Sequence, residues 1–258
     1  MYLKRKIDEY LLEWKKNEER LPLIIKGARQ IGKTESINHF AEQNYSNIVS
    51  INFVLEPKYK TILSDGYAVE DIIKNISMID TSKRFIAGDT VIIFDELQEF
   101  PDIATALKSF RIDGRFDVIC SGSLLGINYR KIHSNSVGYK IDYEMFSMDF
   151  EEFLWAKGYS EKHIEDILKH MKTRTPFSET ELSVYKKLFL EYCVLGGMPA
   201  VVKVYIEKNL FTDTLEIQRQ IQMDYEEDIR KYAEGLDQTK IVSFYRNVPV
   251  QLAKENKK

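Results

Sequence analysis

A glycine-rich segment close to the N-terminus has the residue types and the spacing needed to hold phosphate groups. It fits the pattern G-x-x-x-x-G-K-[ST] and consists of Gly27, Ala28, Arg29, Gln30, Ile31, Gly32, Lys33 and Thr34. Glycine is needed because the backbone N–H groups must wrap phosphate oxygens, and a Cβ atom would block their approach. Lys33 can then reach the β- and γ-phosphates, and Thr34 can ligate Mg²⁺. This phosphate loop predicts a site for a nucleoside triphosphate with Mg²⁺.

Two adjacent carboxylates follow an apolar run further along the chain. Residues 91–94 are Val-Ile-Ile-Phe, and Asp95 and Glu96 come directly after them. A strand that ends in this way can direct one carboxylate toward Mg²⁺, usually through water, and the other toward the attacking water. We assign Asp95 to the magnesium side and Glu96 as the candidate general base. Taken alone, the pair also fits a strand that ends in solvated acids, and the phosphate loop upstream favours the catalytic interpretation.

Two further polar side chains are candidates for the same site. Ser121 and Ser123 follow the apolar run at residues 116–120, where a small hydroxyl can bond the γ-phosphate or the attacking water. We expect Ser121 to be that group, because Ser123 could simply cap the turn. Asn52, near the end of residues 48–53, is placed to hydrogen-bond Glu96 and hold it away until a partner binds. An ordinary amide at a strand end explains Asn52 equally well.

Short apolar runs, each separated from the next by enough chain for a helix, must position these groups. They predict the strands of a parallel α/β sheet with crossover helices. The runs are residues 21–25, 48–53, 91–94, 116–120 and, as a fifth strand, 139–145. One whole strand lies between the phosphate-loop strand and the Asp95 strand along the chain. That order suggests the additional-strand class of P-loop ATPases, in which a further strand separates those two in the sheet.

Helical patterns lie before, between and after these runs. Residues 3–14 carry apolar side chains at helical spacing and predict an amphipathic helix, and Pro101 and Gly114 bracket another. After about residue 148 the strand-like runs stop and only helical patterns follow. Ser178 and Glu181 have capping-box spacing, which predicts a helix that carries Leu182, Tyr185, Leu188 and Tyr192 inward and stops at Gly196-Gly197.

Composition narrows the class of protein. The 258 residues include 37 Lys and Arg against 40 Asp and Glu, a net charge of −3, so any contact with DNA would have to be local. A hydrophobic fraction of 44% is typical of a globular protein. Cys120 and Cys193 lie in apolar sequence, and we expect two buried thiols in a reducing compartment. No apolar run approaches the length of a membrane span, so we expect a cytoplasmic protein without a membrane partner.

The chain resembles a known family at these residues: the bacterial AAA-type ATPases that carry a C-terminal domain of unknown function, which are relatives of the archaeal ATPases. The resemblance rests on residues 22–34, 51–53, 94–98, 121–123, 148–154 and 196–199, in that order. It implies a parallel ATPase sheet, a helical lid, a winged-helix segment and then a nuclease-like domain.

On this resemblance, residues 1–148 are a P-loop ATPase core and residues 149–235 the helical lid. Residues 236–258 are the start of a winged-helix-like C-terminal region in a truncated chain. Many relatives carry Gly-Arg where this chain has Gly138-Tyr139. That departure puts an arginine finger at this position in doubt, although Lys140, Arg130 or Arg115 could substitute.

The leading hypothesis is an Mg²⁺-dependent ATPase, slow in isolation, that couples hydrolysis to rearrangement of the lid and the C-terminal domain. A DNA or protein partner through that domain, and a homo-oligomer, are both compatible with it. The alternative is a nucleotide-gated binding module with negligible hydrolysis. Glu96 favours the ATPase, and the missing Gly-Arg favours the binding module. A small-molecule phosphotransferase would need an Arg-rich lid, a GTPase would need an Asn-Lys-x-Asp motif, and the chain has neither.

Overall fold

A computed structural model describes residues 1–123, 136–233 and 237–255. It forms two compact units, Met1–Lys203 and Val204–Lys258. The functional boundaries expected after residues 148 and 235 stay predictions, since a compact unit need not coincide with a functional domain. Among the residues described, no helix combines the length and the apolar character needed to cross a membrane.

Five parallel strands form the sheet of the first unit, and they confirm the five predicted runs. They lie in the order β2-β3-β4-β1-β5. Their bounds are β1 Leu23–Gly27, β2 Asn47–Asn52, β3 Thr90–Asp95, β4 Asp117–Ser123 and β5 Ile141–Glu144. β4 therefore separates the phosphate-loop strand from the Asp95 strand, as the additional-strand class requires. β2, which falls between those two strands along the chain, lies at the edge of the sheet beside β3.

Helices cover both faces of the sheet, because side chains alternate between the faces and both sets are apolar. Among the residues described before β5, the α-helices are α1 Lys6–Lys16, α2 Lys33–Asn44, α3 Val69–Ile79 and α4 Ile103–Asp113. On one face Ile24 and Phe94 pack with apolar residues of α3 and α4. On the other, Ile25 and Ile93 pack with α1 and α2. Both predicted helices are confirmed, and α4 ends at Gly114 with φ +70°.

Only helices follow β5 in the described residues. They are α5 Phe150–Ala156, α6 Glu161–Thr173, α7 Glu179–Leu195, α8 Pro199–Lys208, α9 Thr212–Tyr232 and α10 Gln238–Glu255. Ser178 caps α7 by accepting from the Glu181 N–H group, and Gly196 ends that helix, which confirms both predicted boundaries. In the second unit Arg246 of α10 forms two hydrogen bonds to Glu226 of α9, at 2.7 and 2.5 Å.

Two expectations for α7 are wrong. Leu182 is 54% exposed, although it was expected to point inward, and Cys193 is exposed rather than buried. Leu188 and Leu195 are the buried residues of this helix. Each residue advances the helix by about 100°, so Leu182 and Cys193 lie roughly 120° and 140° around the axis from Leu188. The buried stripe of α7 is narrower than its apolar sequence suggests.

Candidate nucleotide-binding site

A cavity of about 490 Å³ opens at the carboxyl ends of the strands, where ligands bind in open α/β sheets. Its volume is within the usual range for small-molecule sites. It is lined by the phosphate loop and by the ends of β3 and β4. The other lining residues include Tyr2, Leu3, Pro199, Ala200 and Lys203. The sheet register brings these ends together, because Gly27 pairs with Ser123 and Asn52 pairs with Asp95.

Glycine is required at both ends of the phosphate loop for different reasons. A Cβ atom on Gly27 would lie 2.3 Å from the carbonyl oxygen of Met145, so the two backbones can approach only because that atom is absent. Gly32 has φ +92°, in the left-handed region that favours glycine, and it caps the N-terminus of α2. The helix therefore begins at Lys33 and directs its free N–H groups, the positive end of its dipole, toward the loop.

Lys33 lies folded against the loop that precedes it. Its ammonium donates to the carbonyl oxygens of Ala28 at 2.6 Å and Gly27 at 3.1 Å. Burial lowers the pKa of Lys33, and the nearby carboxylates of Glu96 and Asp95 oppose that effect. The charge is therefore kept at the base of the cavity by weak acceptors, which phosphate oxygens can replace.

The Asp95 carboxylate is the centre of a dense hydrogen-bond network. One oxygen accepts from the Thr34 hydroxyl and from the Asn52 carboxamide, each at 3.1 Å. The other oxygen accepts from the Ser121 hydroxyl and from the Glu96 N–H group. Because Asp95 is 7% exposed, these donors compensate for the loss of water around its charge. A hydroxyl oxygen beside a carboxylate also fits Mg²⁺, which prefers hard oxygen ligands.

Asn52 does not make the hydrogen bond expected from the sequence. It donates to Asp95 instead of Glu96, and its own oxygen accepts the N–H groups of Val54 and Leu55 at 3.0 Å. The reason is the strand register, which places Asn52 directly beside Asp95. Glu96 follows the end of β3 and adopts φ +59°, which turns its side chain out of the strand direction. The expected Asn52–Glu96 contact is therefore wrong.

The two serines at the end of β4 differ from expectation, since Ser123 and not Ser121 lines the cavity. Ser121 is fully buried and its hydroxyl is turned to Asp95, contrary to the prediction that it faces the phosphate. Ser123 lines the cavity. It is 4% exposed, and its hydroxyl oxygen has no hydrogen-bond partner in the structure. A buried hydroxyl without a partner at this position is suited to a ligand oxygen or a bound water.

Glu96 is held by a residue that the sequence did not single out. Nε2 of Gln98 donates to the Glu96 carboxylate, and Oε1 of Gln98 accepts from the Ser123 N–H group at 3.2 Å. The only sequence signal for Gln98 was its place in the segment 94–98 that carries the family resemblance. Of its two partners, Glu96 follows β3 and Ser123 ends β4, so only the folded sheet brings them together.

Arg5 is a second residue that the sequence did not single out. It is 4% exposed and lines the cavity. Its guanidinium donates to the carbonyl oxygens of Ile31 at 2.6 Å and Phe146 at 2.7 Å, and Nε lies 3.1 Å from Glu152. The sequence showed only a small basic cluster at this point. In the structure Arg5 fastens the N-terminal segment to the phosphate loop and to the chain after β5.

Two of the three candidate substitutes for an arginine finger, Arg115 and Lys140, are engaged elsewhere in the chain. Arg115 forms a bidentate contact with Asp113 and a salt bridge of 2.7 Å with Glu70. Lys140 donates to Asp142 at 2.7 Å. Neither residue lines the cavity. Arg130 lies outside the described residues.

Comparisons with known proteins agree with this architecture. Residues 19–154 match a family model described as an AAA domain, and residues 186–258 match one described as a domain of unknown function. No curated protein sequence matches the chain. A Walker-type ATPase of Pyrococcus abyssi is similar in structure, with a TM-score of 0.52 and 14% identity over 90% of this chain and 77% of that chain.

AMPPCP-bound DnaA from Aquifex aeolicus is similar more distantly. It has a TM-score of 0.43 and 12% identity over 91% of this chain and 71% of that one. At these identities the likeness to the archaeal ATPase concerns the fold alone. The family match covers more than half of the chain and includes the phosphate loop, Asp95, Glu96 and both serines of β4. The chain therefore belongs to the AAA domain family, as an AAA-type P-loop protein whose C-terminal part is a domain of unknown function.

Proposed function

We propose that this chain binds ATP with Mg²⁺ in the cavity and hydrolyses it. The observation that carries the proposal is the convergence of three kinds of group on one cavity. Lys33 supplies a cation, Thr34 and Asp95 supply oxygen ligands, and Glu96 supplies a carboxylate. Phosphoryl transfer to water needs these groups and little covalent chemistry from the protein.

The phosphate loop and the start of α2 would bind the triphosphate. Backbone N–H groups and the Lys33 ammonium would donate to the β- and γ-phosphate oxygens. Thr34 and Asp95 would hold Mg²⁺, which neutralises charge on those oxygens when it is bound. The hydrogen bond of 3.1 Å between Thr34 and Asp95 supports this assignment, because the two side chains are already oriented toward one point.

Glu96 would act as the general base. It lines the cavity, and its contact with Gln98 occupies one carboxylate oxygen. The other oxygen can accept a proton from the attacking water. The Ser123 hydroxyl, rather than that of Ser121, would bond the γ-phosphate or the water, since Ser123 lines the cavity and its hydroxyl has no hydrogen-bond partner.

Hydrolysis would be coupled to movement of the helical region and of the C-terminal domain. Pro199, Ala200 and Lys203 line the cavity, so a nucleotide there contacts the helical region directly. Gly197 accepts from the Met148 N–H group at 2.7 Å, which is one of the contacts between the helices after β5 and the chain at the end of the sheet. The expected partner is DNA or a protein bound by the C-terminal domain, and the expected setting is the cytoplasm, with self-assembly into a homo-oligomer.

The decisive experiment measures ATP turnover with and without DNA for the wild-type chain and for Glu96→Gln. The amide keeps the size and the hydrogen bond but accepts no proton, so turnover should fall about 10²–10⁴-fold while ATP still binds. Glu99→Gln is the matched control, because Glu99 pairs with Lys60 at 3.6 Å and is not part of the cavity lining. Equal turnover by the wild type and Glu96→Gln would refute the role of Glu96 as the base.

A nucleotide-gated binding module is the second candidate. The engagement of Arg115 and Lys140 with carboxylates of their own chain favours it, because neither cation is available in this structure to stabilise a transition state. Tight ATP binding by the wild type, with turnover no faster than that of Glu96→Gln, would favour this module over the enzyme.

A further inference from the structure

Gln98 connects two residues that line the cavity, Glu96 and Ser123. Its carboxamide donates to the Glu96 carboxylate through Nε2 and accepts from the Ser123 N–H group through Oε1. Glu96 follows β3 and Ser123 ends β4, so the contact joins neighbouring strands at their carboxyl ends. A carboxamide donates through its NH₂ group and accepts through its oxygen, so Gln98 can bond a carboxylate at one end and a backbone N–H group at the other.

The turn after β3 holds Gln98 in place. Leu97 is buried in the core beside Phe94, and the Glu99 N–H group donates to the Glu96 carbonyl oxygen at 2.9 Å. These contacts close a short 3-10 turn at Leu97–Glu99. The backbone of Gln98 is therefore anchored on one side by the buried Leu97 and on the other by the Glu99 hydrogen bond, and these anchors fix the direction of the carboxamide.

We propose that Gln98 is a positioning residue that holds the Glu96 carboxylate in register with the Ser123 hydroxyl. The inference rests on the proposed function, because it assigns Glu96 to the attacking water and Ser123 to the phosphate. Glu96 follows β3 and Ser123 ends β4, and the reaction requires a fixed distance between these two groups. Gln98 supplies that link through one Glu96 oxygen and the Ser123 N–H group, so it does not occupy the Ser123 hydroxyl, and both Glu96 and Ser123 line the cavity.

Two substitutions separate positioning from packing. Gln98→Met keeps the length and bulk of the side chain but removes both hydrogen bonds. Gln98→Glu keeps the acceptor for Ser123 and replaces the donor with a carboxylate that repels Glu96. Both variants should lower kcat at least tenfold, since small misplacements of reacting groups cost up to about 10²-fold, while the affinity for ATP changes less than about threefold. A kcat of Gln98→Met equal to that of wild type would overturn the proposal, because packing alone would then suffice.

A second measurement reports on the link without any hydrolysis. The Ser123 amide resonance in ¹⁵N–¹H spectra of the whole chain should shift in Gln98→Met, which removes its acceptor. It should remain near the wild-type position in Gln98→Glu. It should also shift in Glu96→Ala, because this substitution keeps Gln98 but removes the carboxylate to which Nε2 of Gln98 donates.

These two measurements separate failure of the inference from failure of the proposed function. If the wild-type chain binds ATP without turnover, the proposed hydrolysis is refuted. The Ser123 resonance then still tests whether Gln98 links Glu96 to Ser123. If the Ser123 resonance does not shift in either Gln98→Met or Glu96→Ala, the link through Gln98 is refuted, whatever the rate of turnover. A shifted resonance with a loss of kcat in both Gln98 variants supports it.

Discussion

The Ser121 hydroxyl donates a hydrogen bond to the Asp95 carboxylate, and this contact decides which serine of β4 faces the cavity. Ser121 is paired in the sheet with Ile25 and is enclosed by the strands on either side. Ser123 is two residues further along, beside Gly27, where the sheet ends and the cavity begins. A buried hydroxyl that is hydrogen-bonded and a buried hydroxyl without a partner therefore lie two residues apart on one short strand.

Alanine substitutions at these serines should separate stability from ligand binding. Ser121→Ala removes a donor to a buried carboxylate and should lower the free energy of unfolding by about 1–3 kcal/mol. Ser123→Ala removes a hydroxyl that has no partner, so the free energy of unfolding should stay the same or rise. The affinity for a non-hydrolysable ATP analogue should fall in Ser123→Ala by about the worth of one hydrogen bond, fivefold to tenfold. Urea unfolding and titration calorimetry test both effects, and the opposite pattern would restore Ser121 as the ligand-facing group.

Lys33→Ala should lower the affinity for ATP-Mg²⁺ at least tenfold. The substitution removes the cation that the phosphate loop places at the base of the cavity, roughly the loss of one charge-assisted hydrogen bond. Lys26→Ala is the matched control, because Lys26 precedes Gly27 but bonds Asp142 at 2.8 Å and is not among the cavity-lining residues. Calorimetry on both folded variants gives the comparison. Wild-type affinity in Lys33→Ala would mean that this cavity is not the triphosphate site.

Asp113→Asn should lower stability at neutral pH but not in acid. Hydrogen bonds from Arg115 hold the pKa of Asp113 below its ordinary value of 3.8. The folded protein therefore binds this proton less tightly than the unfolded chain, and the pairing stabilises the fold at pH values above the unfolded pKa. That contribution disappears as the pH falls through the folded pKa. Urea unfolding at pH 7 and at successively lower pH should show the wild-type advantage shrinking, whereas an advantage independent of pH would contradict the argument.

Tyr139→Arg should raise ATP turnover, and the increase should depend on protein concentration. An arginine finger is worth roughly 10³–10⁵ in rate in other P-loop enzymes, and the family resemblance implies arginine at the position where this chain has Tyr139. The wild-type chain should therefore turn over ATP more slowly than about 1 s⁻¹, the low end of ordinary enzymes. Tyr139→Phe is the control, because it keeps the ring beneath the Lys108 ammonium, 4.9 Å from its centre, without adding charge. Fast hydrolysis by dilute wild-type protein would show that one chain already supplies every charge needed.

The prediction from sequence succeeded where a pattern is local and repetitive. The apolar runs before Gly27 and Asp95 predicted buried parallel strands, and Gly32-Lys33-Thr34 predicted a loop that leads into a helix. It failed on α7, where nearly every turn carries apolar residues. There the burial of Leu188 and the exposure of Leu182 depend on which neighbours the helix meets.

By itself the sequence determined the fold class, the phosphate loop and the pair Asp95 and Glu96, because each depends on residues close together in the chain. Only the tertiary structure decided the partners of the polar side chains. Asn52 bonds Asp95 because the β2–β3 register aligns them, and Glu96 leaves that line because its backbone turns to φ +59°. Gln98 meets Ser123 because β3 and β4 are neighbours in the sheet, although 25 residues separate the two along the chain. Such contacts require strands distant in sequence to lie about 5 Å apart, and only the packed sheet brings them to that distance.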